Sequence, residues 1–162
     1  MNLDVGYEGP MNGEQSEWIE KTLSESKAKI KMAQYHGPLY TACKQNSPFD
    51  QLAMDYGFKY WVPLFDKYNM TLIFENHTHA FKRSKKIKYG KVDDEGTIYL
   101  GEGSWGVTQS PGDCRPDNVE LHEKVLSAPN AWIIKIDTSK GIQADAYMND
   151  GTQLDSLFIG LN

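Results

Sequence analysis

This chain of 162 residues has few cysteines, few histidines and no excess of positive charge. Its two cysteines, Cys43 and Cys114, are too few for a disulfide-rich scaffold, and the sequence leaves open whether they are free thiols or one bridge. The formal net charge of −5 argues against a general binder of nucleic acids or anionic membranes. A phosphorylated substrate is still compatible with it, because a local metal ion or basic cluster can bind phosphate.

Long apolar runs are also missing. No stretch is long and apolar enough to cross a bilayer, so we expect no membrane span. Residues 1–5 lack the basic start and apolar core of a signal peptide. The hydrophobic share of 40% and the charged share of 24% are typical of a globular protein. The length suits one domain with a substantial core, and we expect residues 1–162 to form one unit.

Apolar patterns alternate between strand and helix in the first half of the chain. They predict strands over residues 2–5, 29–35 and 70–74, a helix from the Asn12 cap to about Lys27, and a second helix over residues 57–68. In the first helix, Trp18, Ile19 and Leu23 share one stripe, and Asn12 with Gln15 favours a capping box. Residues 41–56 read as a long polar loop. This order predicts βα units and a largely parallel sheet.

The second half of the chain favours antiparallel pairing. Gly90 and residues 93–96 punctuate a hairpin that leads to residues 97–100. Residues 131–136 and 142–147 read as another hairpin, and residues 157–159 as an edge strand. The fold class is therefore α/β, with a mixed sheet, flanking helices and C-terminal antiparallel hairpins.

Three of the four histidines follow predicted strands. His36 ends one strand, and His77 and His79 follow the next strand along the chain. Parallel sheets bind ligands beyond the carboxyl ends of their strands, and neutral imidazole is a common metal ligand. The pattern therefore predicts a metal site, although two histidines in a polar turn remain an alternative. The fourth, His122, reads as a solvated helix residue.

Several stretches, in this order and spacing, resemble the purple acid phosphatases of the calcineurin-like metallophosphoesterase superfamily. The resemblance covers nearly the whole chain but corresponds only to the C-terminal half of that family's catalytic domain. It implies half of an α/β/β/α sandwich. Asn76 stands where the family motif usually has glycine. The matching stretches are residues 13–23 (GEQSEWIEKTL), 33–40 (AQYHGPLY), 61–68 (WVPLFDKY), 75–83 (ENHTHAFKR) and 96–106 (GTIYLGEGSWG).

The resemblance implies a binuclear metal centre, of iron with zinc, manganese or a second iron. By position, His36 and His77 would bind one metal and His79 the other. Arg83, at a position where arginine recurs in the family motif, would bind a phosphoester substrate, since arginine can pair bidentately with phosphate; a solvated face is the alternative. Tyr40 would line the substrate pocket, although an aromatic near a sheet end is more often part of the core. Two such cations neutralise phosphate and lower the pKa of a bound water. No residue is assigned as a catalytic acid or base.

The carboxylate ligands of such a centre are missing from this sequence. The family's Gly-Asp-x-x-Tyr and Gly-Asn-His-Asp/Glu motifs, which lie in its N-terminal half, are both absent. Three interpretations stay open. The chain is a fragment or half-enzyme that needs an N-terminal partner, an inactive phosphatase-derived structural or interaction subunit, or a binding protein with one metal on three histidines.

The first two interpretations both predict a protein partner. Half a sheet leaves an open edge and uncovered apolar surface, which a partner would cover. In the third interpretation, a single transition metal would bind to His36, His77 and His79 without catalysis. The family resemblance also points towards a secreted location or an acidic compartment.

Overall fold

The computed structural model describes residues 1–43, 47–101, 106, 114 and 119–161. Within these residues the helices are α1 (Glu14–Glu25), α2 (Pro48–Tyr56) and α3 (Val62–Lys67), with a π-helical segment (Gly57–Trp61) between the last two and a 3-10 turn (Val119–Leu121). The strands are β1 (Met32–Gln34), β2 (Leu72–Phe74), β3 (Phe81–Ser84), β4 (Ile87–Lys88), β5 (Lys91–Val92), β6 (Ile98–Gly101), β7 (His122–Leu126), β8 (Ala131–Asp137), β9 (Gly141–Tyr147) and β10 (Gln153–Gly160).

Five of the described strands form a mixed sheet in the order β1-β2-β6-β3-β7. β1, β2 and β6 run parallel, and β3 runs antiparallel to both β6 and β7. In the parallel part, Ala33 lies opposite Ile73, and Ile73 lies opposite Tyr99. Because β1 and β2 are adjacent and parallel, the segments that follow Gln34 and Phe74 emerge at the same edge of the sheet.

The helices cover one face of this sheet and a second sheet covers the other. On the helix side, Ile73 and Tyr99 join a core with Trp61 and Phe65. The opposite face packs on an antiparallel sheet with the order β10-β9-β8. The core on that side consists of Leu72, Ile98, Leu100, Ile142, Ala144 and Ile159. The predicted mixed α/β fold with C-terminal antiparallel strands is confirmed. Its three layers are the helices, the mixed sheet and the antiparallel sheet.

Helix α1 begins one residue later than its predicted cap. Gly13 takes the N-cap position, and the side chain of Gln15 instead exchanges hydrogen bonds with the backbone of Asp4. Ile19 and Leu23 are buried as predicted, whereas Trp18 is about half exposed. The capping-box prediction is wrong because Gln15 has a better partner in the preceding loop.

The predicted loop over residues 41–56 is largely a helix. The hydroxyl of Ser47 accepts a hydrogen bond from the N–H of Asp50, and Pro48 occupies the first turn of α2. This is an ordinary helix start, since serine caps the exposed N–H groups and proline fits the first turn. Helix α2 then continues through the π-helical segment into α3, where Pro63 again lies in the first turn.

The fourth histidine belongs to a strand rather than to a solvated helix. His122 opens β7 and is buried. Its Nε2 lies 3.3 Å from the carbonyl oxygen of Tyr40. The flanking sequence Leu-His-Glu-Lys suggested an exposed helix, but antiparallel pairing with β3 overrides that local preference.

The N-terminal segment and the membrane question complete the description of the fold. Residues 2–5 form no strand and make a single bridge, from Asn2 to Gln34. The hairpin of β8 and β9 and the edge position of β10 are confirmed. Within the described part of the chain, none of the helices has the length and the apolar character needed to cross a bilayer.

Candidate metal and phosphoester site

Two adjacent parallel strands bring His36 and His77 together. These residues are 41 positions apart, yet His36 Nε2 lies 3.0 Å from His77 Nδ1. The main chain fixes this approach, because the N–H of Asn76 donates to the carbonyl of His36 at 2.9 Å. The side-chain amide of Asn76 also donates to the carbonyl of Tyr35 at 3.0 Å. Asn76 therefore joins the two segments that carry the histidines.

The spacing of the two imidazoles suits a shared ligand. Without a metal, one ring donates a hydrogen bond and the other accepts it. Two ring nitrogens at about 2.1 Å from one ion, at right angles in an octahedral arrangement, would be about 3.0 Å apart. The observed distance of 3.0 Å therefore fits two imidazoles that bind one ion.

Electrostatics favour the neutral form of His36. Burial lowers the pKa of His36, and the neighbouring His77 and His79 lower it further, while Asp50 opposes the shift. Metal ions bind the neutral imidazole, because protonation occupies the ligand lone pair. His36 is thus held in its ligand-competent form at neutral pH.

The backbone of the second histidine segment is unusual. Four non-glycine residues in the described part of the chain have positive φ, and two of them are His77 at 85° and His79 at 57°. Such conformations disfavour ordinary L-residues and concentrate at functional sites. Asn76, where the family motif has glycine, does not need that freedom, because the left-handed turn begins one residue later.

Asp50 is a site residue that the sequence did not reveal. It lies in the first turn of α2, and its Oδ1 lies 3.6 Å from His77 Nε2. That distance is too long for a hydrogen bond, but it places a carboxylate beside the far nitrogen of the ring. The Ser47-Pro48 helix start was the available signal, since it predicts a helix whose first turn contains Asp50.

Two exposed aromatic rings form one wall of the site. The ring of Tyr7 lies 5.9 Å from that of His36 in an edge-on arrangement, and the ring of Phe49 lies 5.1 Å from that of Tyr7. Both side chains are exposed to solvent. The backbone N–H groups of residues 7–9 donate to the carboxylate of Asp4, which fixes the loop that presents Tyr7.

The two predicted substrate ligands are both engaged by the protein. Tyr40 is buried, and its ring packs against Phe58 and Tyr99. Burial raises the pKa of the Tyr40 phenol well above its ordinary value. Arg83 Nε donates to Asp155 Oδ2 at 2.6 Å. Substrate contacts by Tyr40 and Arg83 therefore stay predictions.

A disulfide bridge attaches the loop after His36 to a distant part of the chain. Cys43 and Cys114 form this bridge across a sequence separation of 71 residues. The sequence left their state open, and the structure pairs them. The bridge ties the end of the segment that carries His36 and Tyr40 to Cys114.

The described residues supply only part of a coordination sphere. Among them, no three histidine, cysteine, aspartate or glutamate side chains gather into a set able to hold a metal ion. His36 and His77 come together, Asp50 lies beside them, and His79 is near enough to affect the pKa of His36.

Comparison with known proteins gives a consistent relationship. No family model matches the chain. Purple acid phosphatase 15 of Arabidopsis thaliana is 25% identical over 135 residues, which cover 75% of this chain and 24% of that protein. The chain thus spans about a quarter of the length of this relative.

Solved structures share the fold. Purple acid phosphatase PPD1 from yellow lupin seeds superposes with a TM-score of 0.78 at 18% identity, over 98% of this chain and 30% of that one. GAP50, described as the anchor in the inner membrane complex of Plasmodium, superposes with a TM-score of 0.70 at 11% identity, over 99% of this chain and 48% of that one. PhoD superposes with a TM-score of 0.53 at 14% identity, over 91% of this chain and 36% of that one. By sequence and by fold, this chain resembles part of a purple acid phosphatase, consistent with a partial metallophosphoesterase domain.

Proposed function

We propose that this chain supplies the C-terminal half of a purple-acid-phosphatase-type metal centre that hydrolyses phosphoesters. His36 and His77 would hold one metal ion and His79 the other. An N-terminal half, on a partner segment or partner chain, would add the carboxylates. The observation that carries this proposal is the 3.0 Å approach of His36 and His77 at the ends of adjacent parallel strands.

The residues of this chain have definable tasks at such a centre. When bound, a pair of iron, zinc or manganese ions would neutralise the phosphate and lower the pKa of a coordinated water. The neutral imidazole of His36 would bind an ion, and Asp50 would orient His77 from the far side of its ring. Arg83 would bind phosphate if it exchanged the carboxylate of Asp155 for the substrate.

The partner would bind along the edge strands β1 and β8 of the two sheets. Among the described strands, β1 is an edge strand of the mixed sheet and β8 is an edge strand of the antiparallel sheet. One cavity of about 430 Å³ lies between Ile30, Met32 and Ile136. The indole N–H of Trp132 is buried without a hydrogen-bond partner in the described structure. An added strand would pair with β8 and cover this apolar surface.

A second function is favoured by a different observation. The likeness to GAP50 includes nearly the whole chain, and that protein is described as an anchor. The chain would then be an inactive phosphatase-derived subunit that serves assembly. In that case the partner interface is retained and the histidines have no metal to bind.

The disulfide supports a proposal about compartment. Disulfides persist in oxidising environments and are rare where thiols are kept reduced. The Cys43–Cys114 bridge therefore favours a secreted or lumenal location, in line with the family resemblance. Fractionation of the source cells with a thiol-labelling reagent tests this, and a fully reduced pair in the native protein would contradict it.

Purification of the tagged chain with its bound proteins tests the two functions. The enzyme proposal predicts phosphatase activity in the complex that is lost in a variant with His36, His77 and His79 all replaced by alanine, while the complex stays assembled. Val92→Ala, at an exposed position of β5, serves as a control outside the metal ligands and the substrate contacts. A complex without activity, whose assembly is unaffected by the alanine variant, would favour the assembly subunit.

A further inference from the structure

A fully buried ion pair lies beneath the two histidines. Lys82 Nζ donates to Glu75 Oε2, and both side chains have no exposed surface. Such pairs add little net stability, because the free energy needed to remove two charges from water offsets most of their attraction. An apolar pair of similar volume is often equally stable. The arrangement therefore invites a role other than stability.

The carboxylate of Glu75 holds the main chain that follows His36. Its Oε1 accepts hydrogen bonds from the N–H of Leu39 at 2.8 Å and, more weakly, from the N–H of Tyr40 at 3.4 Å. The hydroxyl of Tyr35 donates to the same oxygen at 2.6 Å. Three donors from residues 35–40 thus converge on one oxygen atom.

Lys82 holds the same segment from its carbonyl side. Its ammonium donates to the carbonyl of Tyr40 at 2.6 Å as well as to Glu75. The ion pair therefore contacts both the N–H and the C=O of Tyr40. A neutral or apolar pair could not satisfy these groups together.

The position of Glu75 connects this segment to His77. Glu75 directly precedes Asn76, whose N–H donates to the carbonyl of His36. Glu75 is only two residues before His77 in the chain. The residue whose carboxylate binds Leu39 and Tyr40 therefore belongs to the same short segment as the second histidine. Because the imidazoles lie at the free ends of two strands, their separation depends on how these two segments are held.

We propose that Glu75 and Lys82 are positioning residues that hold His36 and His77 at metal-binding distance. The inference rests on the proposed function in that the two histidines share a metal ion. It assigns the pair a task in the geometry of the site, carried out through the main chain of residues 36–40. Neither side chain touches the metal or the substrate.

A neighbouring ion pair provides a matched control. Arg83, the next residue on β3, pairs with Asp155 on β10 at 2.6 Å and is also largely buried. That pair contacts neither Leu39 nor Tyr40. Loss of the Arg83–Asp155 pair should therefore affect stability without an effect on the separation of the histidines.

The experiment uses the full chain and Co²⁺ as the probe, with affinity from titration calorimetry and the ring signals of His36 and His77 from NMR. The double variant Glu75→Leu with Lys82→Met removes both charges and every acceptor for Leu39. We expect it to fold and to bind Co²⁺ about 10- to 100-fold more weakly. Glu75→Gln with Lys82→Met keeps one acceptor oxygen and should recover part of the affinity, and Asp155→Asn should match the wild type.

Two outcomes would overturn the inference. One is an affinity for Co²⁺ in the leucine–methionine variant equal to that of the wild type. The other is an equal loss in Asp155→Asn, which would indicate a general effect of stability. If the wild-type chain alone does not bind Co²⁺, the partner's carboxylates are needed for affinity, and the inference is then judged by the contact between the rings of His36 and His77, measured by NMR. That contact should be lost in the leucine–methionine variant and kept in Asp155→Asn.

Discussion

Single side chains fix the loops around the candidate site. The carboxylate of Asp4 accepts hydrogen bonds from the N–H groups of Tyr7, Glu8 and Gly9 at 2.9–3.0 Å. Burial alone would raise the pKa of Asp4, but the backbone donors, led by those of Glu8 and Gly9, outweigh burial and lower it below its usual 3.8. The ionised carboxylate is therefore the form that holds Tyr7 beside His36.

Replacement of Asp4 by asparagine tests this loop. We expect Asp4→Asn to lower the free energy of unfolding by about 1–2 kcal/mol near neutral pH, because an amide has one acceptor oxygen. A lowered pKa in the folded state gives stability that is present above pH 3.8 and lost as pH falls through the folded value. The difference in the free energy of urea unfolding between variant and wild type should thus shrink as the pH falls below 3.8. A difference that is constant over this range would contradict the account.

Gly101 is a position where no side chain fits. A Cβ there would lie 2.1 Å from the carbonyl oxygen of Glu75. We expect Gly101→Ala to lower the free energy of unfolding, measured by heat or urea, by about 2–3 kcal/mol, because the main chain at Glu75 would have to move. Gly9→Ala is the matched control, since nothing lies within 4 Å of its added methyl. Equal stability of the two variants would mean that the end of β6 is looser than described.

Two elements, the loop after β1 and helix α2, meet at the histidines. The loop carries His36 and ends at Cys43, and α2 carries Asp50. The Cys43–Cys114 bridge closes 71 residues, and cross-links stabilise mainly by the restriction of the unfolded chain. This bridge should therefore contribute measurably to stability.

Replacement of both cysteines by serine gives the size of that contribution. We expect the double variant to lose about 2–4 kcal/mol in the free energy of unfolding relative to the oxidised wild type. The wild type in excess reductant should match the variant under the same conditions. An oxidised wild type no more stable than the variant would argue against a bridge in the native protein.

The elements differ in how well the sequence predicts them. β2 and the β8–β9 hairpin are strongly patterned, and their prediction is confirmed. Helix α2 was missed, because its short polar sequence around Asp50 resembles a loop until Ser47 is recognised as its cap. The approach of His36 and His77 follows from parallel strand ends and was anticipated. The Glu75–Lys82 network could not be, because its contacts join residues up to 42 positions apart in the chain.

At the scale of the whole molecule, the chain has one well-covered side and one open side. Helices and the second sheet enclose the mixed sheet, but the space between β1 and β8 is incompletely filled. Ile136 is 53% exposed beside that space. This exposed apolar edge is where the proposed partner would bind.

A charge placed on this edge should block the partner without an effect on the fold. We expect Ile136→Lys to reduce recovery of the partner at least about tenfold, because burial of an unpaired charge at an interface is costly. Val92→Lys is the control, since Val92 is also 53% exposed but lies on the β4–β5 hairpin. Pull-down of the natural complex with each variant gives the comparison. Equal recovery with both variants would place the partner elsewhere.

The metal content of the natural complex tests the central claim most directly. The tagged chain is purified from its own source, every bound chain is identified, and metals are quantified by mass spectrometry. The account predicts two metal equivalents per complex and a second segment or chain that carries the missing carboxylates. A stable complex without metal would contradict it and would mean that the phosphatase-like fold serves assembly alone.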